Sequence, residues 1–277
     1  MKYSIWRQSR RIENEYLKTL YTLCDMLKKI AQSVGNDQAL YVQRMNQFQD
    51  SHQYEKYIMS AVKRMVTPLS DVNAKTWREA ARKSTRGHFL YTLLMEELKQ
   101  GKDILINDQV LENAALIKTL PNDIAEKVVK EIANEALKGK RARSIEKVIR
   151  QETDKHSRAS ARLIARTEVA KTQSALTRVR AQSLDMQWYV WRTALDGKRV
   201  RPSHRLMEGV LVNWNDPPSP EELAGEKSVG NYHAGNIWNC RCFSEILVDI
   251  DDVKWPHKIY RNGQIQMMTK GEFEKLL

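Results

Sequence analysis

The chain has 277 residues, 42% of them hydrophobic and 29% charged, with 11 glycines and 7 prolines. This composition is compatible with a buried core in one large or two ordinary domains, and it excludes collagen-like and low-complexity chains. Lys and Arg number 46 against 34 Asp and Glu, a net charge of +12 that draws anionic partners, polyphosphate backbones the commonest, or else faces an acidic neighbouring subunit.

No run of 18 apolar residues occurs, so no membrane span is expected. The first residues, Met1 to Arg11, lack the apolar stretch of a secretory signal. Cys24, Cys240 and Cys242 do not make a disulfide framework, which fits folding in a reducing compartment. A soluble protein made inside the cell is the expectation.

From Ile12 to Ala31, apolar residues recur at three- and four-residue steps, which predicts an amphipathic helix stopped near Gly35. Further helical patterns cover 38–65, 71–100 and 122–139, with Thr67-Pro68 dividing the first two and Pro121-Asn122-Asp123 turning into the third. Residues 102–119 read as a short helix or a loop. From Thr153 to Leu184 there is neither Gly nor Pro, and one long helix is predicted. Arg158, Arg162 and Arg166 fall at i, i+4 and i+8 of it, close to one face. That row reads as a solvated stripe or as a phosphate-binding row.

The pattern changes after residue 186. The stretch from Gln187 to Ala194 is aromatic and β-branched, and Asp196-Gly197 supplies a turn. Val210–Val212 and Phe243–Ile250 read as strands, and the Pro- and Gly-rich residues 215–236 as a long loop. Tyr260 to Ile265 reads as a hairpin turning at Asn262-Gly263, with a short helix at 270–277. The predicted fold class is α+β: a mainly helical N-terminal body over 1–150, a small α+β module over 151–252, and a C-terminal hairpin and helix over 253–277.

Charge concentrates in this region. Residues 141–209 hold 16 Lys/Arg against 7 Asp/Glu, a net of +9. Arg158, Arg162, Arg166, Lys198, Arg199 and Arg201 are the candidate nucleic-acid contacts, since guanidinium forks fit phosphate oxygens without base readout. For Arg199 and Arg201, an internal pair with Asp196, Glu168 or Asp216 that fixes the turn is the alternative. Trp188, Trp191, Trp214 and Trp238 read as core and platform residues.

His204, His233, Cys240 and Cys242 are the only clustered soft ligands, and two Cys plus two His could supply a tetrahedral zinc. The single residue between the thiols puts both on one face of an extended chain, a spacing that serves chelation or simple burial of two small groups. P-loop, dinucleotide, zincin, nucleophile-elbow and zinc-deaminase patterns are absent, so no catalytic residue is assigned and no cofactor beyond zinc is implied. An enzymatic alternative would be a metal-dependent hydrolase or transferase using His204, Cys240 and Cys242 with Glu168 as base. A DNA-binding module unrelated to virions is a third reading.

Taken together, Arg166-Thr167-Glu168, Trp191-x-Thr193, Asp196, Arg201-Pro202-Ser203-His204, Gly209 and Asn239-Cys240-Arg241-Cys242 resemble the phage Mu F-like minor head protein family, over about residues 155–250. Such proteins often carry Pro-Gly shortly before the Asn-Cys-Arg-Cys end, where this chain has His233-Ala234-Gly235. The resemblance implies a minor capsid component of a tailed phage, made in the host cytoplasm during assembly and located in the capsid interior at the portal vertex. It implies portal and capsid or scaffold subunits as partners, non-specific contact with double-stranded DNA, and a role in procapsid assembly, packaging or genome delivery. It assigns its shared residues no catalysis. Toxin domains fused to some relatives are not expected here, because the chain ends about 30 residues after the shared residues.

Overall fold

The computed structural model describes residues 4–84, 87–88, 91–92, 94–95, 110–115, 117–137, 142–195 and 200–277. The chain forms two compact units, each discontinuous in sequence. One comprises Arg10–Thr67 and Ile106–Ala165, the other Met1–Ser9, Pro68–Leu105 and Arg166–Leu277. The class is α+β, with helices first and a five-stranded sheet near the C-terminus.

The first unit is helical. Helix α1 (Arg10–Ser33) buries Ile12, Tyr16, Leu20, Leu23, Cys24, Leu27 and Ala31, the stripe its periodicity predicts. Each fully buried leucine there contributes about 1.5–3 kcal/mol by leaving water. Helix α2 (Gln38–Gln49) starts where the Asp37 carboxylate accepts the Leu40 N–H at 2.9 Å. Buried hydroxyls are matched: Tyr41 shares a 2.7 Å hydrogen bond with Thr153, and Tyr54 donates to the Ile117 carbonyl at 2.8 Å.

The helix break expected at Thr67-Pro68 lies elsewhere. Helix α3 runs from His52 to Lys83 with Pro68 inside it, and the chain breaks instead at Asp50-Ser51. Ser51 supplies the new start, its Oγ accepting the Tyr54 N–H at 3.2 Å. An interior proline costs about 3 kcal/mol; burial of Met65, Val66 and Leu69 around it offsets that cost. Pro68 still marks a boundary, because the two compact units divide between Thr67 and Pro68. Helix α4 (Leu120–Leu137) matches its expected span within two residues. The long helix, α5 (Ala142–Ser183), begins about ten residues before its expected start, there being no Gly or Pro to stop it. Of the ambiguous stretch 102–119, residues 101–109 lie outside the described residues, and 110–115 are helical.

The second unit carries the sheet, in the order β3-β1-β2-β4-β5. Strand β1 (Trp188–Arg192) pairs antiparallel with β2 (Leu211–Asn213) and with β3 (Phe243–Ile246). Strand β2 pairs parallel with β4 (His257–Arg261) through Leu211 and Ile259, and β4 forms the expected hairpin with β5 (Gln264–Met268). The first four residues of β1 are all buried, so both faces are covered. Trp188 and Val190 pack with Leu211, Ile259 and Phe273 on one side. Tyr189 and Trp191 pack with Val210, Val212, Trp214, Tyr232 and the two C-terminal cysteines on the other.

Two short helices, α6 (Pro202–Leu206) and α7 (Pro220–Leu223), lie in the connections around β2. Strand β3 is shorter than predicted: Asp249 accepts the Asp251 N–H at 3.0 Å and winds Ile250–Asp252 into a 3-10 turn. The final helix α8 (Lys270–Glu274) is opened by a reciprocal cap between Thr269 and Glu272.

A buried polar network joins α3 to α5 within this unit. Arg180, 2% exposed, donates to Asn73 Oδ1 and, at 3.3 Å, to Ser70 Oγ, while Asn73 Nδ2 donates to Thr177 Oγ1 at 2.7 Å. Asn73→Ala removes a partner from a buried cation and from a buried hydroxyl. It is expected to lower stability in urea unfolding by about 2–3 kcal/mol, and a change near zero would show that the network does not hold the two helices together.

Candidate functional site

The residues singled out in the last third of the chain converge on the segment before β3. From α5, Arg166 Nη1 donates to Asn239 Oδ1 at 2.7 Å, and Thr167 Oγ1 accepts the Asn239 N–H at 2.9 Å. Adjacent side chains of one helix thus hold a turn in which Asn239 has a positive φ of 56°. Glu168 is 1% exposed on the same helix. Arg201, just ahead of α6, donates to the Trp238 carbonyl at 3.0 Å and lays its guanidinium 5.3 Å from the Trp238 ring centre. Pro202 opens α6 as its first residue, where its missing N–H costs nothing.

Gly209 closes the connection from α6 to β2. Its φ is +77°, and its N–H donates to the Trp191 carbonyl at 2.9 Å. Next to it, Glu208 accepts from Thr193 through both N–H and Oγ1 at 2.6 Å, and pairs with Arg192 at 3.5 Å. These residues of the shared pattern are spent on positioning backbone.

What they position is a buried imidazole and two thiols. His204 Nδ1 lies 3.3 Å from Cys242 Sγ and 3.6 Å from Cys240 Sγ, and the three side chains are 2–3% exposed. Cys240 and Cys242 both reach the His204 ring, while Arg241 between them is part-exposed. The Cys242 N–H donates to Cys240 Sγ at 3.3 Å. Trp191 forms one wall, edge-on to the His204 ring at 5.7 Å.

The other imidazole nitrogen faces a relay that sequence reasoning missed. His204 Nε2 is 2.9 Å from the Tyr232 hydroxyl, and Tyr232 donates to the Glu221 carboxylate, both of whose oxygens are 2.7 Å away. Ser203 donates to the same carboxylate at 3.4 Å. Burial first, and then the Glu221 carboxylate, raise the Tyr232 pKa, so its hydroxyl stays a proton donor. The two thiols are driven apart in acidity. The hydrogen bond from Cys242, with His204 assisting, holds Cys240 well below the usual thiol value, and Cys242 is raised by Cys240 and by burial. Glu221 and Tyr232 sit in a stretch that reads as loop, at no spacing that links them to His204.

His233 is not part of this group. Its Nδ1 is 3.2 Å from the Tyr189 hydroxyl, and its ring stands edge-on to Trp214 at 4.9 Å. The cluster of described residues whose ligand atoms lie within 4.8 Å of one another is His204, Cys240 and Cys242, without Glu168.

In the helical unit, the arginine row has local partners. Arg158 pairs with Asp154 at 3.1 Å and Asp25 at 3.0 Å, and Arg162 Nε donates to the Tyr21 hydroxyl at 2.9 Å. Asp196, Lys198 and Arg199 lie outside the described residues. Trp188, Trp191 and Trp214 are core, as expected, while Trp238 is 51% exposed.

Residues 126–245 match the family model described as Phage Mu protein F like protein. This stretch of the chain is similar to the phage Mu F-like head morphogenesis family. The matched span is less than half of the 277 residues, but it contains every shared residue discussed above. A protein of Haemophilus influenzae (strain ATCC 51907 / DSM 11121 / KW20 / Rd), described only as an uncharacterized protein, is 26% identical over 144 residues, which is 52% of this chain. The match covers 30% of that relative's length. No solved structure matches the chain.

Two measurements probe this arrangement in the Mu F-like module. Gly235 has a φ of +86°, and a Cβ there would stand 3.0 Å from the Cys242 carbonyl and 3.2 Å from that of Ala170. Gly235→Ala is therefore expected to cost about 1–3 kcal/mol in thermal unfolding, where a neutral result would mean the loop relaxes freely. Burial lowers the His233 pKa from 6.5 to about 4, aided by the nearby Arg178 cation. The depressed value means stability is fully present above the unfolded pKa and declines as pH falls from 6.5 toward about 4, by up to about 1.4 kcal/mol per pH unit. In NMR, the His233 ring signals are expected to stay flat down to about pH 5; titration at an ordinary histidine value would contradict the buried placement.

Proposed function

We propose that this protein is a minor head component of a tailed phage, incorporated during procapsid assembly beside the portal, where it contacts packaged DNA without reading its sequence. The observation that carries the proposal is the family match over residues 126–245, which takes in the whole scaffolded loop from α5 to β3. Portal and capsid or scaffold subunits are its partners in this reading, with the capsid interior its final location. No helix among the described residues is long and apolar enough to cross a membrane.

The DNA half is supported by the net charge of +12. Arg158 contributes little to it, because Asp154 and Asp25 already offset its charge. Exposed cations such as Arg162 and Arg205 are better placed chemically, since they bond only a phenol oxygen and a backbone carbonyl among the contacts described above and at Val200. A metal-dependent hydrolase built on His204, Cys240 and Cys242 is the competing reading. Burial of all three side chains argues for a structural role instead.

Co-expression with the portal protein of the same phage is expected to yield a copurifying complex. Filter binding to random-sequence duplex DNA is expected to fall steeply as salt rises. No portal capture would remove the assembly role, and absence of DNA retention in dilute buffer would remove the DNA role.

A further inference from the structure

The His204–Cys240–Cys242 cluster has the donor set, spacing and surroundings of a metal centre. Zinc bonds of about 2.3 Å to sulfur and about 2.0–2.1 Å to nitrogen, at a tetrahedral angle, separate the two donors by roughly 3.6 Å. The observed separations from Nδ1 are 3.3 and 3.6 Å. One lone pair on a neutral Nδ1 accepts from a single S–H, which leaves the second thiol to its neighbouring sulfur, whereas a metal ion uses all three donors at once.

The relay behind the ring decides which nitrogen is free. Tyr232 has one hydroxyl proton, and two carboxylate oxygens of Glu221 stand 2.7 Å from it. The phenol oxygen is thus left to accept from His204 Nε2–H at 2.9 Å, so in the neutral ring Nδ1 carries the free lone pair and faces the thiols. A ligating histidine whose second nitrogen is fixed by a chain ending in a carboxylate is the usual outer support of a metal site. Charge balance agrees: a divalent ion that displaces two thiol protons into solvent leaves a neutral S₂N centre, its fourth tetrahedral position taken by a donor outside this set such as water, and a buried site accommodates that far better than an unpaired ion.

We propose that His204 Nδ1, Cys240 Sγ and Cys242 Sγ bind one zinc ion, with Tyr232 and Glu221 as its outer support and His233 outside the set. Thiolate and imidazole donors select zinc over the hard cations magnesium and calcium. The ion would tie α6 to the segment entering β3, and so fasten the connection after β1 to the edge of the sheet that β1 shares with β3. This inference is independent of the virion reading, since it concerns only how the module is held together.

The test uses the full chain, purified under reducing conditions, with zinc content measured directly and Co²⁺ as the spectroscopic probe. About one zinc per chain is expected, with a thiolate-to-cobalt charge-transfer band on substitution. Cys240→Ser and Cys242→Ser should each abolish both signals, and His233→Ala should keep them. Tyr232→Phe keeps all three donors and is expected to weaken zinc affinity about 10–100-fold, which preserves a decisive readout if the cysteine variants fail to fold. A chain that takes up neither metal overturns the proposal. So does metal retained after Cys240→Ser, metal lost in His233→Ala, or an affinity unchanged in Tyr232→Phe.

Discussion

An imidazole and two thiols are buried together, and the rest of the C-terminal module is arranged around that fact. Three polar groups with 2–3% exposure cannot rely on water, so each must find a partner inside the protein. His204 finds sulfur on one side and the Tyr232–Glu221 pair on the other. Both arrangements depend on α6, the loop carrying Tyr232 and the cysteine segment keeping their places.

The shared residues of the Mu F-like pattern make sense as the means of keeping those places. Arg166 and Thr167 grip Asn239, Arg201 grips the neighbouring carbonyl of Trp238, and Gly209 returns the chain to β1. None of these contacts leaves a reactive group at a surface. Among the described residues the pattern therefore serves to position backbone around the buried cluster. The sheet contributes rigidity: β1 is buried on both faces, so Trp191 forms a fixed wall for His204 while Trp188 anchors the opposite core.

How much could be read from residues alone differs by element. The α1 stripe, the Asn262-Gly263 hairpin and the aromatic strand at 188–192 were legible because local periodicity and turn chemistry decide them. The helix break was misplaced because a proline is a strong local signal, while Ser51 is a weak one. At Pro68 the burial of neighbouring apolar residues outweighs one lost hydrogen bond. The Phe243 strand was read too long because its apolar run continues past Ile246, although Asp249 caps a turn there. Grouping His204 with Cys240 and Cys242 was legible from their chemistry, but the inclusion of His233 with them was not decidable from spacing.

The sequence by itself determined the class of the fold, the cationic character, the pairing of two thiols on one face of an extended segment and the likeness to a phage head family. All of these follow from short-range pattern or from composition. Tertiary structure alone decided which histidine meets the thiols, that Glu221 and Tyr232 stand behind it, and that Arg158 meets Asp25. Those contacts join residues far apart along the chain, and a long-range contact is chosen by packing and desolvation, which leave no fixed interval between the residues they bring together.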